Sequence, residues 1–221
     1  PLVFHMVLTG QQALAQLPLV VHAWARALRH GLGRERVAGE LSRLQWVGEG
    51  GRVEDVLDPA TLNVLEHEAT LEPPGGPPPA PDGTPACGAV LRIDTPLRLQ
   101  RDGHAMGSGE LDARALVAAL ARRVSLMLHL HADHPTLQPV QPLLAAAESL
   151  AEDRSGLRWH DWVRYSSRQR QEMTLGGVVG DWVLHGEVAA LWPWLWLGQW
   201  LHLGKNATMG MGHYRLLPLH V

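Results

Sequence analysis

The sequence predicts an α+β fold of two consecutive domains, and three features of the pattern agree on this. Residues 73–86 are mostly proline and glycine, a composition typical of semi-extended linkers. On each side of this segment an apolar run with strand character is followed by an amphipathic helical pattern. The second half then continues with further strands and a second helix. We therefore predict an N-terminal domain at 1–72, a linker at 73–86 and a C-terminal domain at 87–221.

In the N-terminal domain, residues 2–9 are rich in Val, Phe and Leu, which predicts a first strand. Residues 11–30 predict a helix, since apolar side chains such as Leu17, Val21 and Leu28 recur at helical spacing. Gly31 follows the helix and ends it. Apolar runs at 41–47, 52–57 and 62–71 predict further strands, with no long helix between them.

In the C-terminal domain, the predicted order is strand, helix, strand, strand, helix, strand. The predicted ranges are 89–99, 111–131, 157–167, 173–185, 191–203 and 207–217, with a short additional helix at 144–151. This order defines the split βαβ, or ferredoxin-like (RRM-like), unit. The first half begins in the same order and loses it after its third strand. The predicted architecture is therefore two tandem ferredoxin-like domains, of which the N-terminal one is degenerate.

Several features predict a cytoplasmic protein without a membrane segment. Cys87 is the only cysteine, which excludes an internal disulfide and fits a reducing compartment. The N-terminal residues lack the charged start and long apolar core of a signal peptide. The Trp-rich helix predicted at 191–203 is too short to span a bilayer, and Gln199 and His202 interrupt it.

The basic residues are almost all arginine. The formal net charge is −3, and of 19 basic residues only Lys205 is a lysine. Arginine binds phosphate with a planar fork and stacks on bases, although a GC-rich genome would produce the same bias. His22, Arg26, Arg29 and His30 recur at helical spacing, so they share one face of the first helix. This face is either merely solvated or positioned over RNA.

A glycine-rich segment lies near the C-terminus. Gly204, Gly210 and Gly212 flank Lys205 and Asn206. Such glycines let a polyanion approach backbone amides, and the lysine adds a charge suited to phosphate, although a plain turn has the same composition. The spacing is neither that of a Walker loop nor that of a dinucleotide-binding loop.

Three segments carry a resemblance to a known family: RYSSRQ at 164–169, GGVVG at 176–180 and LGKNATMGMG at 203–212. They resemble the C-terminal region of CRISPR precursor-RNA processing endoribonucleases of the RAMP superfamily, and the likeness covers about residues 89–217. The segment IDTPLRL at 93–99 resembles the strand that opens the second domain in the branch found with type III and type IV systems. The compact size and the arginine-rich first helix suggest type IV. His202 stands where the family's loop has its first glycine.

The resemblance implies tandem ferredoxin-like domains, binding of the CRISPR repeat RNA with its stem-loop, and metal-independent cleavage without a cofactor. Attack by the ribose 2′-OH would leave a 2′,3′-cyclic phosphate and a 5′-OH end, and the mature guide RNA would be kept for other CRISPR effector subunits. In the family the catalytic groups lie on or just after the first helix, which implies His30 with Arg26, Arg34 and Arg36. The implied RNA-binding residues are Arg29, Arg164, Arg168, Arg170, Gly204, Lys205, Asn206, Gly210 and Gly212.

Two alternatives stay open, together with one weak metal-site candidate. A non-catalytic RAMP subunit that binds guide RNA as a scaffold would have the same fold, and a small-molecule-binding ferredoxin-like enzyme would have a closed apolar pocket. His129, His131, Asp133 and His134 have the side-chain types of metal ligands, but their spacing fits no fixed signature, so we predict no metal site.

Overall fold

The computed structural model describes residues 2–33, 35–48, 51–66, 74–79, 83–132, 139–166 and 171–220. The chain divides into two compact units, Pro1–Glu72 and Pro73–Val221. Between the last strand of the first unit and the first strand of the second, the described residues form neither helix nor strand.

The N-terminal unit consists of helices and short antiparallel hairpins. Its elements are α1 (Gln11–Ala15), α2 (Leu17–His30), β1 (Gln45–Val47), β2 (Val53–Asp55), β3 (Leu57–Asp58) and β4 (Asn63–Val64). Strand β1 pairs with β2, and β3 pairs with β4. Pro18 lies in the first turn of α2, where its missing N–H costs no hydrogen bond. Val21 and Ala25 form the buried side of α2.

The strand predicted at 2–9 is wrong, because the structure assigns these residues to neither strand nor helix. The ring of Phe4 packs on Trp24 of α2 instead, with 4.4 Å between the ring centroids. Leu2 and Val3 remain 78% and 76% exposed, so the start of the apolar run is not buried against a sheet. The described part of this unit therefore contains two-stranded pairings in place of a four-stranded sheet, in line with a degenerate domain.

The C-terminal unit is a four-stranded antiparallel sheet with helices on one face. Its elements are β5 (Gly88–Leu97), β6 (Gln100–Arg101), β7 (His104–Ala105), α3 (Ala113–His131), α4 (Val140–Glu148), β8 (Ala151–His160), β9 (Val163–Ser166), β10 (Gln171–Thr174), β11 (Gly177–His185), α5 (Trp192–Leu201) and β12 (Tyr214–Leu219). The strand order β12-β5-β11-β8 places the first and third strands in the centre and the fourth and second at the edges. This confirms the predicted ferredoxin-like topology.

The core of this unit lies between the sheet and the helices. Trp182 of β11 and Tyr214 of β12 are fully buried. The Tyr214 hydroxyl donates to the Leu195 carbonyl of α5 at 2.5 Å, which joins that helix to the edge strand. Leu116 and Leu120 of α3 are fully buried, but Leu130 is 60% exposed. The buried positions of α3 end at Val124, so its last two turns extend past the core.

The predicted strands 157–167 and 173–185 are each interrupted in the structure. The Trp159 indole donates to Asp161 at 2.7 Å, and the Leu175 amide donates to the Trp162 carbonyl at 2.6 Å. The strands are interrupted at 161–162 and 175–176, and β9 and β10 continue beyond the break as a two-stranded hairpin in the same register as β8 and β11. The bond between Leu175 and Trp162 lies in that register too, so the break is a local irregularity of one long hairpin. A sequence pattern of alternating polarity does not show such a break.

The predicted strand 207–217 begins late, at Tyr214, and ends at Leu219. Residues Ala207–Met209 form a single 3₁₀ turn instead. The positive φ angles of Gly210 and Gly212, 86° and 69°, are incompatible with a strand. The short helix predicted at 144–151 spans Val140–Glu148. No helix in the described part of the chain is long and apolar enough to cross a membrane.

Candidate functional site

The glycine-rich loop, residues 202–213, connects α5 to β12 and closes on itself. The Leu203 amide donates to the Gly212 carbonyl at 3.1 Å, and Leu203 is fully buried. Five of its residues have positive φ angles: His202, Gly204, Asn206, Gly210 and Gly212. The backbone path therefore depends on residues that tolerate the left-handed region.

The loop is fixed to the end of β5. The Lys205 amide donates to the Arg98 carbonyl at 2.9 Å, and the Gly212 amide donates to the Pro96 carbonyl at 3.1 Å. The Thr95 hydroxyl donates to the Gly210 carbonyl at 2.8 Å. Thr95 and Pro96 therefore anchor this loop, although neither was predicted as a site residue.

Two of the three loop glycines lie too close to other backbone atoms to carry a side chain. A Cβ at Gly212 would lie 1.8 Å from the Leu203 carbonyl oxygen, and one at Gly204 would lie 2.5 Å from the Arg98 carbonyl oxygen. A Cβ at Gly210 would meet nothing within 4 Å. Because the amides of Lys205, Gly210 and Gly212 donate to protein carbonyls, the Lys205 side chain, which is exposed, is the cationic group that the loop offers to an anion.

A histidine pair lies at the base of the loop. The rings of His202 and His213 are 5.2 Å apart between centroids, and His213 Nδ1 lies 3.5 Å from an Asp94 carboxylate oxygen. Burial, followed by the nearby His213, lowers the pKa of His202. The Asp94 carboxylate also accepts two hydrogen bonds from Arg215, at 2.9 and 3.1 Å. Burial and His213 thus both favour the neutral form of the His202 ring.

The predicted face of α2 exists as an exposed surface of the N-terminal unit. The side chains of this face are all exposed, whereas Val21 and Ala25 are buried; the exposed residues are His22, Arg26, Arg29 and His30. The Arg29 side chain donates to the Ala25 carbonyl of the preceding turn at 3.4 Å.

The exit of α2 is a tight turn. Gly31 has a φ of 89°, and a Cβ there would lie 2.2 Å from the Arg36 carbonyl oxygen. A bridge between Leu32 and Val37 closes the turn and holds Arg36, whose φ is 50°. His30 and Arg36 thus flank the same glycine. Arg34 lies outside the described residues.

The β9–β10 hairpin carries the third predicted group. Arg164 lies in β9, in register with Met173 of β10. Arg168 and Arg170 lie outside the described residues. Trp162 and Tyr165, which are 42% and 60% exposed, lie beside this arginine in the sequence and were not predicted as site residues. Their alternation with arginine in the sequence could have identified them as candidate RNA-binding residues, because exposed aromatic rings next to basic residues are typical of single-stranded nucleic acid binding.

The described residues contain no group of three His, Cys, Asp or Glu side chains placed to hold a metal ion. Asp133 and His134 of the predicted weak candidate lie outside them.

The family of this chain follows from a comparison with known families. A model described as CRISPR-associated endoribonuclease Cas6 matches residues 91–214, which is more than half of the chain. The match runs from β5 to the start of β12 and contains the whole glycine-rich loop. The chain therefore belongs to a family of CRISPR-associated endoribonucleases, the Cas6 family, and the predicted resemblance is confirmed. A second model, described as an N-terminal domain, matches residues 1–70.

Several solved structures are similar to this chain. A Cas6 (TTHA0078) product complex matches at 21% identity with a TM-score of 0.41, over 61% of this chain and 52% of that chain. A Cas6 (TTHB231) product complex matches at 20% identity with a TM-score of 0.43, over 61% and 52%. A partial Cas6-RT-Cas1–Cas2 complex matches at 17% identity with a TM-score of 0.41, over 62% and 24%. This chain thus spans about half the length of the first two. No curated protein matches.

Proposed function

We propose that this chain binds the repeat of CRISPR precursor RNA and cleaves it by metal-independent attack of a ribose 2′-OH on the adjacent phosphate. The products are a 2′,3′-cyclic phosphate and a 5′-OH end. The observation that carries this proposal is the Cas6 family match, which contains the complete glycine-rich loop with its exposed Lys205. The type III or type IV assignment rests on the sequence resemblance alone.

The reaction has three requirements: deprotonation of the 2′-OH, stabilisation of the phosphorane charge and protonation of the leaving 5′-oxygen. His30 is assigned the proton transfer, because imidazole is the side chain that exchanges a proton near neutral pH. Arg26 and Arg36 are assigned the charge stabilisation, since a guanidinium stays protonated and donates in a planar fork. Arg34 receives the same role from its position in the sequence.

Binding of the RNA is assigned to two further groups. The first consists of arginines that contact phosphate: Arg29, Arg164, Arg168 and Arg170. The second is the glycine-rich loop: Gly204, Lys205, Asn206, Gly210 and Gly212. The RNA is the repeat with its stem-loop, and the processed guide stays bound until other effector subunits take it over.

Incubation of the protein with a repeat RNA in excess EDTA tests the proposal, with one defined cut expected. His30→Ala should slow the single-turnover cut by about 100-fold or more with little loss of binding, because an acid–base group acts mainly on the transition state. His22→Ala is the matched control, since His22 is also exposed on α2, and it should retain the rate. Loss of cleavage in Arg26→Ala or Arg36→Ala with a silent His30→Ala would reassign the mechanism to arginine alone.

The second candidate function is a scaffold subunit that binds guide RNA without cutting it. One sequence observation favours it: α2 contains neither a lysine nor a tyrosine to assist the histidine. Tight binding of the repeat without any cut, in the presence or absence of divalent ions, would establish the scaffold role and refute the nuclease.

A further inference from the structure

A strongly basic cleft of about 560 Å³ lies beside the glycine-rich loop, within the C-terminal unit. We call it the basic groove. Its cationic lining residues are Arg98, Arg101, Arg114, Arg122, Arg123 and Lys205. Asp112 is the single carboxylate among the described lining residues. Because the whole chain has a formal net charge of −3, this concentration of positive charge is local and opposite in sign to the rest of the molecule.

The floor of the groove is one face of α3. Ala115, Ala118 and Ala119 follow helical spacing and all line the cleft. Their small side chains leave room for a ligand between the arginines of the same helix. Arg114 and Arg122 are eight residues apart on α3, which places them about 12 Å apart along the helix axis at about 1.5 Å per residue. Charges distributed over this length fit a run of phosphates better than a single phosphate group.

Some of these cations have no partner among the described residues. The side chains of Arg122 and Lys205 make no ion pair or hydrogen bond with that part of the chain. The Nε atom of Arg98 is buried and donates to no acceptor among them, while its Nη1 donates to the Thr174 carbonyl at 3.1 Å. A buried N–H without an acceptor is costly, so the Arg98 side chain, which lines the groove, gains a hydrogen bond if it turns toward an anion there.

Arg123 donates two hydrogen bonds to the Leu201 carbonyl, at 3.2 and 3.1 Å, whereas Arg101 and Arg114 are held within the described residues only by exposed ion pairs. Arg101 pairs with Asp112 at 2.5 Å, with 56% and 35% of the two side chains exposed. Arg114 pairs with Glu148, and both of these side chains are more than half exposed. Ion pairs as exposed as these have only a small effect on stability, so a phosphate can readily replace the carboxylate.

The amino end of α3 does not serve as the anion site. The Ala115 amide donates to Asp112 at 2.6 Å, and the Ala113 amide donates to Glu152 at 3.0 Å. These first-turn amides are therefore occupied by carboxylates, and recognition in the groove depends on the arginine and lysine side chains.

We propose that the basic groove binds a second stretch of RNA backbone, contiguous with the nucleotides held by the glycine-rich loop. Gly204 and Lys205 belong to the loop and also line the groove, so one strand can pass from the loop into the groove. None of the described lining residues is aromatic, which favours contacts to phosphate without base stacking or sequence readout. This inference rests on the proposed function, because it takes the RNA at the loop as its starting point.

The test compares the salt dependence of RNA binding in the unaltered protein and in the double variant Arg114→Gln/Arg122→Gln. For single-stranded RNA the slope of log K against log salt should fall by about 0.7 for each phosphate that is no longer neutralised, so the double variant should lose about 1.4. The matched control is Arg43→Gln/Arg52→Gln, two arginines of the N-terminal unit whose side chains are 69% and 72% exposed. The control should leave the slope unchanged. Arg122→Lys should also retain it, because the charge is kept.

RNAs shortened stepwise from each end locate the contact. The difference between the unaltered protein and the double variant should disappear once the RNA is too short to reach the groove. An unchanged slope in the double variant, an equal reduction in the control or a reduction in Arg122→Lys would overturn the inference. An unchanged RNA slope with loss of polyglutamate binding would assign the groove to an acidic protein instead. If the unaltered protein fails to cut repeat RNA in EDTA while the salt slope of RNA binding still falls in the double variant, that result would refute the cleavage proposal and support RNA binding in the basic groove.

Discussion

Alanine substitutions at Gly210 and Gly212 separate backbone strain from steric exclusion in the glycine-rich loop. Both glycines have positive φ angles, 86° and 69°. At Gly210 a Cβ would meet nothing within 4 Å. Gly210→Ala should therefore lower the free energy of unfolding only by the strain of a left-handed backbone at a non-glycine residue, about 1–2 kcal/mol. At Gly212 the Cβ would lie 1.8 Å from the Leu203 carbonyl oxygen, so the two segments must separate.

That separation breaks two hydrogen bonds of the loop, from Leu203 to Gly212 and from Gly212 to Pro96. At about 0.5–1.5 kcal/mol per bond, Gly212→Ala should destabilise the protein by about 2 kcal/mol more than Gly210→Ala. Urea unfolding followed by tryptophan fluorescence reports mainly on the C-terminal unit, which contains seven of the nine tryptophans. With a slope of about 2 kcal/mol per molar urea, the two midpoints should differ by about 1 M.

Equal urea midpoints for the two variants would refute the close contact between Leu203 and Gly212. RNA binding provides a second readout, because the proposed function assigns the loop to the RNA. Gly212→Ala should weaken binding more than Gly210→Ala does, since the first displaces the loop from β5 and the second leaves it in place.

Three further predictions concern α5, the histidine pair and the hairpin. Trp196 is 8% exposed, so Trp196→Ala should lower the free energy of unfolding, measured in urea, by about 3–5 kcal/mol. If acrylamide instead quenches the tryptophan fluorescence of α5 freely in the native protein, the helix is exposed and this prediction is wrong. Burial lowers the pKa of His202 in the folded protein, so the unfolded chain binds this proton more readily than the folded one. The free energy of unfolding should therefore have its full value above about pH 6.5 and fall as the pH drops below that value. His202→Gly should make the free energy of unfolding less dependent on pH, and it also relieves the positive φ of 57° that a non-glycine residue adopts here. If the variant and the unaltered protein lose stability identically with pH, His202 is not the source of the pH dependence. A triple change of Arg164, Arg168 and Arg170 to Ala should lower the salt slope of RNA binding by about 0.7 for each phosphate that the hairpin no longer neutralises, and an unchanged slope would show that the hairpin does not bind RNA.

The topology of the C-terminal unit could be predicted because its elements are long and strongly periodic. The helix at α3 and the strand at β5 each continue one pattern for ten residues or more. The N-terminal strand was wrong because an apolar run does not reveal whether a partner strand exists, and Phe4 packs on Trp24 instead. The breaks at 161–162 and 175–176 were missed because the strands keep one pairing register on both sides of them, so the sequence pattern continues across the breaks.

The candidate site was predictable only where its residues are close together in the sequence. Glycines 204, 210 and 212 and the polar face of α2 were found because local spacing defines them. The basic groove was missed because Arg98, Arg114 and Arg122 become neighbours only when α3 lies beside the end of β5. The alternation of arginine with alanine along α3 was visible, but in a helix this composition is ordinary.

Cleavage of a repeat RNA with a single 2′-deoxynucleotide at the cut site, in the presence of EDTA, tests the proposed reaction most directly. The unmodified RNA should be cut once, leaving a cyclic phosphate. The deoxy RNA should bind with the same affinity and remain intact, since the nucleophile is the missing 2′-OH. Normal cleavage of the deoxy RNA would contradict transesterification and require an external nucleophile such as an activated water molecule.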